Sequence, residues 1–123
     1  MIGLDSSAVI DIANGVDSAK EIFSKIKDDF AINSIVSMEF CVGSYKFPEL
    51  ASAFLEKFEE TPFETRHVIL GLYLRNELRK QGTEIEFADC CIAASYLDAG
   101  ITTIFTKNTK HFSRIPGLKI ISY

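Results

Sequence analysis

Short apolar triplets and longer amphipathic runs take turns along this chain of 123 residues. Ile2-Gly3-Leu4 reads as a strand. Ser6-Ser7 is suited to cap a helix from Ala8 to about Ala13, which Asn14-Gly15 closes. Asp17 or Ser18 starts a second helix to about Lys27. Phe30-Ala31-Ile32-Asn33 is a second strand, and Ser34 caps a helix from Ile35 to about Lys46. Pro48 opens a helix to about Glu59, with Leu50, Phe54, Leu55 and Phe58 on one side. Phe63-Glu64 makes at best a short edge strand. Arg66 to Gln81 is a helix with Leu70, Leu74 and Leu78 in register and Gly82 as its stop. The run from Ile85 to Tyr96 is a further helix, ending before Gly100. Thr103-Ile104-Phe105-Thr106 is a strand, and after a loop Lys119-Ile120-Ile121 is the last one.

Strands that alternate with helices imply right-handed crossovers. The expected fold is an α/β/α sandwich around a mostly parallel sheet of four to five strands. With no linker-like segment, residues 1–123 read as one domain. In such folds the site lies at the carboxyl ends of the strands, near the topological switch point. Asp5 directly follows the first strand, and Thr106, Lys107 and Asn108 follow the fourth. Glu39 lies on the helix after strand two, and Asp89 near the start of the helix before strand four.

Asp89 is the most informative of these. At about 100° per residue, Ile85, Ile92, Ala93 and Tyr96 share its helical face, so its carboxylate is expected within the apolar stripe. A carboxylate turned into a core must be protonated, paired or bound to a cation. Each acid has a plainer reading: Asp5 as a helix cap, Glu39 as a solvated residue at the lip of a stripe of Met38, Cys41, Val42 and Tyr45, Asp89 as a cap or arginine partner. Asn108 is equally ordinary turn text, and Gly43 leaves space one turn beyond Glu39. Taken together, the acids suit Mg²⁺ or Mn²⁺, which prefer hard oxygen ligands. Such ions promote in-line displacement at a phosphodiester.

Other chemistries have no support. There is no Gly-rich phosphate loop and no Gly-x-Ser-x-Gly elbow. His67 and His111 lie far apart in sequence, and His67 is expected to pack or face solvent. A phospho-receiver would need paired acids after strand one, where only Asp5 stands. Cys41, Cys90 and Cys91 have no zinc-ligand spacing and are expected to be buried and reduced. No apolar run reaches the ~18–20 residues of a membrane span, and the first residues do not resemble a signal peptide, so the cytoplasm is expected.

The net charge of −4 argues against nucleic-acid binding by overall charge. The charge is unevenly distributed, however. Residues 1–98 hold all 17 acids, whereas residues 99–123 hold none and contain Lys107, Lys110, Arg114 and Lys119. That tail is either a solvated surface or a local anion site, in which Lys107, Lys110, His111 and Arg114 would hold phosphates.

The ordered motifs Ile2-Gly3-Leu4-Asp5-Ser6-Ser7, Ser34-Ile35-Val36-Ser37-Met38-Glu39, Asp89-Cys90-Cys91-Ile92-Ala93-Ala94, Thr106-Lys107-Asn108-Thr109-Lys110-His111-Phe112 and Ile115-Pro116-Gly117-Leu118 cover nearly the whole chain. In that order the chain resembles PIN-domain ribonucleases, in particular the VapC-type toxins of toxin–antitoxin pairs. The resemblance implies cleavage of RNA dependent on Mg²⁺ or Mn²⁺, leaving 5′-phosphate and 3′-hydroxyl ends. It implies that Asp5, Glu39 and Asp89 are acidic metal-site residues, that Ser7 and Thr106 support the site, and that Asn108 stands where many relatives carry a fourth acid. It also implies a homodimer and a small antitoxin protein as partner, with tRNA or another structured RNA as a possible substrate. The helices at 17–27 and 48–59, with Phe23, Ile26, Phe54, Leu55 and Phe58, are expected to carry those contacts or to be plain core. A non-catalytic binding module, or an RNA-processing nuclease without an antitoxin, would also fit these residues.

Overall fold

A computed structural model describes residues 1–44 and 46–123. Tyr45, which the sequence reading puts on the Glu39 helix, lies outside the described residues. The elements run β1 (Ile2–Leu4), α1 (Ser6–Ala13), α2 (Asp17–Lys25), β2 (Phe30–Ile32), α3 (Ser34–Gly43), α4 (Pro48–Leu55), β3 (Glu59–Glu60), α5 (Thr65–Lys80), α6 (Phe87–Asp98), β4 (Thr103–Phe105), α7 (Thr109–Phe112) and β5 (Lys119–Ile121). The sheet has the order β3-β2-β1-β4-β5. Every neighbouring pair is parallel. Connections from β1 leave toward one edge and later return to β4 on its other side, so the switch point falls between β1 and β4. The fold is the expected α/β architecture with a five-stranded parallel sheet.

Parallel strands buried on both faces need apolar side chains throughout. Leu4, Ala31, Ile104 and Phe105 are fully buried, and Ile92, Tyr96 and Phe112 close over them from the helices. Tyr96 is the pin of this core. Its hydroxyl donates to the Leu4 carbonyl and also lies 3.2 Å from the Ala31 carbonyl, so one side chain of α6 spans β1 and β2. The ring is able to reach that position only because residue 3 is glycine. A Cβ there would lie 2.6 Å from the Tyr96 ring. Gly71 serves α5 and α6 in the same way, since a Cβ would lie 2.6 Å from the Cys91 sulfur. Burial of Cys90 and Cys91 follows.

Several local expectations are corrected. The edge strand is Glu59–Glu60, not Phe63-Glu64, with Ala31 facing Glu59 and Ile32 facing Glu60. Backbone pairing to β2 outweighs the poor strand propensity of glutamate, while Phe63 stacks on His67. His67 is buried; its Nδ1 accepts from the Glu64 amide at 2.9 Å, and its Nε2 lies 3.0 Å from Asp98 Oδ2. Asn33, not Ser34, caps α3, accepting from the Val36 amide at 3.1 Å while donating to Ser95 Oγ at 3.2 Å. Helix α3 turns Val36 and Phe40 inward. Met38 and Val42 are 63% and 74% exposed, and Cys41 is exposed too, so the apolar stripe assigned to that helix is in fact outward. Phe23, Phe54 and Phe58 instead form an aromatic cluster against the core, with Phe23 stacked on Phe30 at 4.5 Å and Phe54 edge-on to Phe58 at 5.4 Å.

Replacing Tyr96 by Phe leaves two strand carbonyls without their hydroxyl donor at no change in ring volume. The expected loss is about 1–3 kcal/mol of unfolding free energy, measured by urea denaturation. A variant as stable as the parent would remove Tyr96 from this pinning role.

Candidate functional site

The junction of β1 and β4 brings together residues distant in sequence. Asp5 follows β1 and is the N-cap of α1. Its Oδ1 accepts from the Ala8 amide at 2.9 Å and the Ser7 hydroxyl at 2.7 Å. Its Oδ2 accepts from the Thr106 hydroxyl at 2.6 Å, and Thr106 in turn accepts from the Asn108 amide at 2.8 Å. The capping reading of Asp5 therefore holds, and its second oxygen is turned to β4 as well. A carboxylate offers about four acceptor positions. Three are filled, and the remaining one lies on Oδ2, the oxygen turned toward β4.

Asp89 is not sunk in the core as its helical stripe implies. Helix α6 begins at Phe87, so Asp89 lies in the first turn with its side chain 15% exposed. The helix is buried all round from Cys90 to Tyr96, so the apolar pattern marks no single face. Asp89 Oδ2 lies 2.9 Å from His111 Nδ1, and Asn108 Nδ2 lies 3.0 Å from the same nitrogen. Glu39, half-buried on α3, accepts at Oε1 from the Ser6 hydroxyl at 3.1 Å. Ser6 was expected only as a cap; its place directly after Asp5 is the signal for this second role.

Burial pushes the Asp5 carboxyl above its ordinary value, and the Asp89 charge adds to that push, while hydrogen bonds from Thr106, Ala8 and Ser7 oppose it. Burial likewise raises Glu39, and the charges of Asp89, Asp5 and Glu86 raise it further against the Ser6 bond. Asp89 is raised by burial and by Glu86, and His111 pulls it back. The Asp89 charge raises both Asp5 and Glu39, and Asp5 raises Glu39 as well, so the three acids form one electronegative site. Among the described residues, no three of the His, Cys, Asp and Glu side chains are gathered tightly enough to form a closed cage for an ion. Mg²⁺ needs no such cage, because it usually takes one or two carboxylates and fills its octahedron with waters and substrate phosphates. The free acceptor position on Asp5 and the hard-oxygen character of all three acids fit that kind of ion.

The basic tail is more engaged than its sequence suggests. Lys107 Nζ lies 3.1 Å from Asp11 Oδ2, which also accepts from the Tyr123 hydroxyl at 2.8 Å. Arg114 donates to the Glu84 carbonyl at 3.1 Å. Lys110 is exposed. His111 is turned to Asp89.

A family model described as PIN domain matches residues 2–118. The chain is 28% identical over 121 residues to the tRNA(fMet)-specific endonuclease VapC of Salmonella typhimurium, covering 94% of this chain and 91% of that protein. It is 33% identical over 94 residues to Ribonuclease VapC1 of Methanocaldococcus jannaschii, covering 73% of this chain and 68% of that protein. The structure of VapBC2 from Rickettsia felis, bound to a DNA fragment from its promoter, superposes with a TM-score of 0.78 at 28% identity, over 100% of this chain and 99% of that one.

The raised acids give a test in chelator. A group whose folded pKa is raised contributes stability that is full below its unfolded pKa and lost as pH rises through the folded value. Asp28 and Asp98, both lowered, act in the opposite sense and are shared by parent and variant. Ion-free Asp89→Asn should therefore gain stability relative to the parent as pH rises from 4 to 7.5, read by thermal unfolding. A difference independent of pH would contradict the cost of charge assigned to Asp89.

Proposed function

The chain belongs to the PIN-domain family, matched over residues 2–118, and from that premise we propose that it is a metal-dependent endoribonuclease, the toxin of a toxin–antitoxin pair. The observation that carries this reading is the convergence of Asp5, Glu39 and Asp89 on the switch-point edge of the sheet, where the Asp89 charge raises both other acids. Relatives named as a tRNA(fMet)-specific endonuclease and a ribonuclease support RNA as substrate.

Asp5 and Asp89 would hold Mg²⁺ or Mn²⁺, with Glu39 as a further ligand or an orienter of water. When bound, the ion supplies positive charge that neutralises the phosphodiester and acidifies water. Asp5 is kept in one orientation by Ser7, Ala8 and Thr106. Asn108 braces Thr106 through its amide, and its own side chain brings no charge where many relatives have an acid. Hydrolysis adds water oxygen to phosphorus and releases a 3′-hydroxyl, leaving a 5′-phosphate. Lys110, exposed beside the site, is the basic residue best placed to hold a neighbouring phosphate, and Lys107 and Arg114 would have to leave their present partners to do so.

Partners follow from exposed apolar surface. Met38 and Val42 on α3 and Phe47 and Leu50 at α4 form one such region, and Ile69, Leu70, Leu72 and Tyr73 on α5 form another. We assign these, rather than Phe23, Ile26, Phe54, Leu55 and Phe58, to a small antitoxin protein and to a second copy of the chain. The similarity to the VapBC2 structure from Rickettsia felis supports the first of these partners. Among the described residues no helix is long and apolar enough to cross a membrane, and the proposed place of action is the cytoplasm. The uncharged Asn108 side chain, where many relatives carry an acid, favours one rival, a binding module without catalysis.

Purified protein should cut tRNA or another structured RNA with Mg²⁺ or Mn²⁺ and not with EDTA. Asp5→Ala and Asp89→Ala should reduce cutting to background. In thermal unfolding, Mn²⁺ at about 100 times its Kd should stabilise the parent by about 2.7 kcal/mol and leave Asp89→Ala unmoved. Absence of cutting and of Mn²⁺ stabilisation, with the parent folded, would favour the binding module.

A further inference from the structure

The two aspartates of the site are joined by a continuous chain of polar contacts, and every link belongs to the segment after β4. Asp5 Oδ2 accepts from Thr106 Oγ1 at 2.6 Å, and Thr106 Oγ1 accepts from the Asn108 amide at 2.8 Å. The Asn108 side chain lies 3.0 Å from His111 Nδ1, and that nitrogen lies 2.9 Å from Asp89 Oδ2. From this geometry we propose that His111 is a positioning residue, which fixes the Asp89 carboxylate and, through Asn108 and Thr106, its spacing from Asp5. This rests on the nuclease reading above. It also departs from the sequence expectation that His111 holds phosphates.

Hydrogen-bond valence supports the assignment. Nδ1 has either one proton or one lone pair. If it were bare, its lone pair would face an oxygen of Asp89 and only Asn108 would be satisfied. With the proton on Nδ1, the ring donates to Asp89, and a half-turn of the Asn108 amide presents Oδ1 to the same N–H. All three side chains are then compatible. The rigid footing for this contact is Phe112, the next residue, which is fully buried under the sheet and fixes the four-residue helix α7 that carries His111. His111 itself stays 30% exposed, so its ring closes the rim of the site and is not part of the core. A partner that orients a metal-holding side chain matters to the ion as well as to the reaction; losing one typically costs roughly 10–100-fold in affinity or activity.

The test uses the different reach of two amide side chains. His111→Asn places an N–H near the position of Nδ1, His111→Gln places one near Nε2, and His111→Ala removes both. Mn²⁺ affinity is measured by calorimetry on the full chain without RNA, and kcat and KM are measured on the RNA that the parent cuts. His111→Ala and His111→Gln should weaken Mn²⁺ binding and lower kcat, each by roughly 10–100-fold, with KM little changed. His111→Asn should recover most of both. The Asn and Gln variants carry the decision if the Ala variant fails to fold. Equal Mn²⁺ affinity in the parent and all variants, a rise in KM alone, or rescue by Gln as good as by Asn would each overturn the positioning role. A parent that binds no Mn²⁺ at all would overturn the nuclease reading itself, and His111's role with it.

Discussion

A carboxylate only 4% exposed at the seam between two parallel strands sets the conditions that its neighbours must meet. Asp5 cannot stay ionised there without donors, and the fold delivers them from two sources: the amino end of α1, through the Ala8 amide and the Ser7 hydroxyl, and the far strand β4, through Thr106. The first is local and comes with helix capping. The second requires β1 and β4 to be aligned closely, and the pairing of Leu4 with Phe105 provides that alignment. Tyr96 and Gly3 hold the other side of β1 against β2. The position of one charged group thus depends on glycine at a single strand position and on a tyrosine hydroxyl from α6.

Donors lower the cost of the Asp5 charge without removing it, and the same holds for Glu39 and Asp89. A core built for stability alone would place apolar side chains at such a seam. Retaining three acids whose pKa values are all raised is the arrangement expected where a cation or a charged reaction centre completes the site. Ser6, Ser7, Thr106 and His111 each satisfy one acid individually. They hold the acids in place and leave acceptor capacity free.

Much of this was legible in the sequence because strand ends and helix starts are local signals. Asp5, Asp89 and Thr106 were placed by the alternation of elements and the rule that sites lie at carboxyl strand ends. Where the sequence misled, competing forces were nonlocal. The Glu59–Glu60 edge strand has no apolar pattern and exists through pairing with β2. Helix α3 is apolar on several faces, so periodicity could not tell that Val36 and Phe40 point inward while Met38 and Val42 face solvent. Asn33 and Ser34 are both good caps, and only the buried Ser95 hydroxyl decides between them. The partners of Lys107, Arg114 and His111 lie on distant elements, and composition gives no information about them.

The Thr106–Asp5 bond joins residues 101 positions apart. During synthesis, a chain that has not yet reached residue 106 has the β1 and α1 segments but no β4 beside them. Its first aspartate then lacks both the burial and the Thr106 hydroxyl that define the site. The folded site is consequently assembled only once residue 106 has been made, from segments far apart in the described chain. Nascent protein emerging close to messenger and transfer RNA would remain without an assembled acidic centre until β4 could dock.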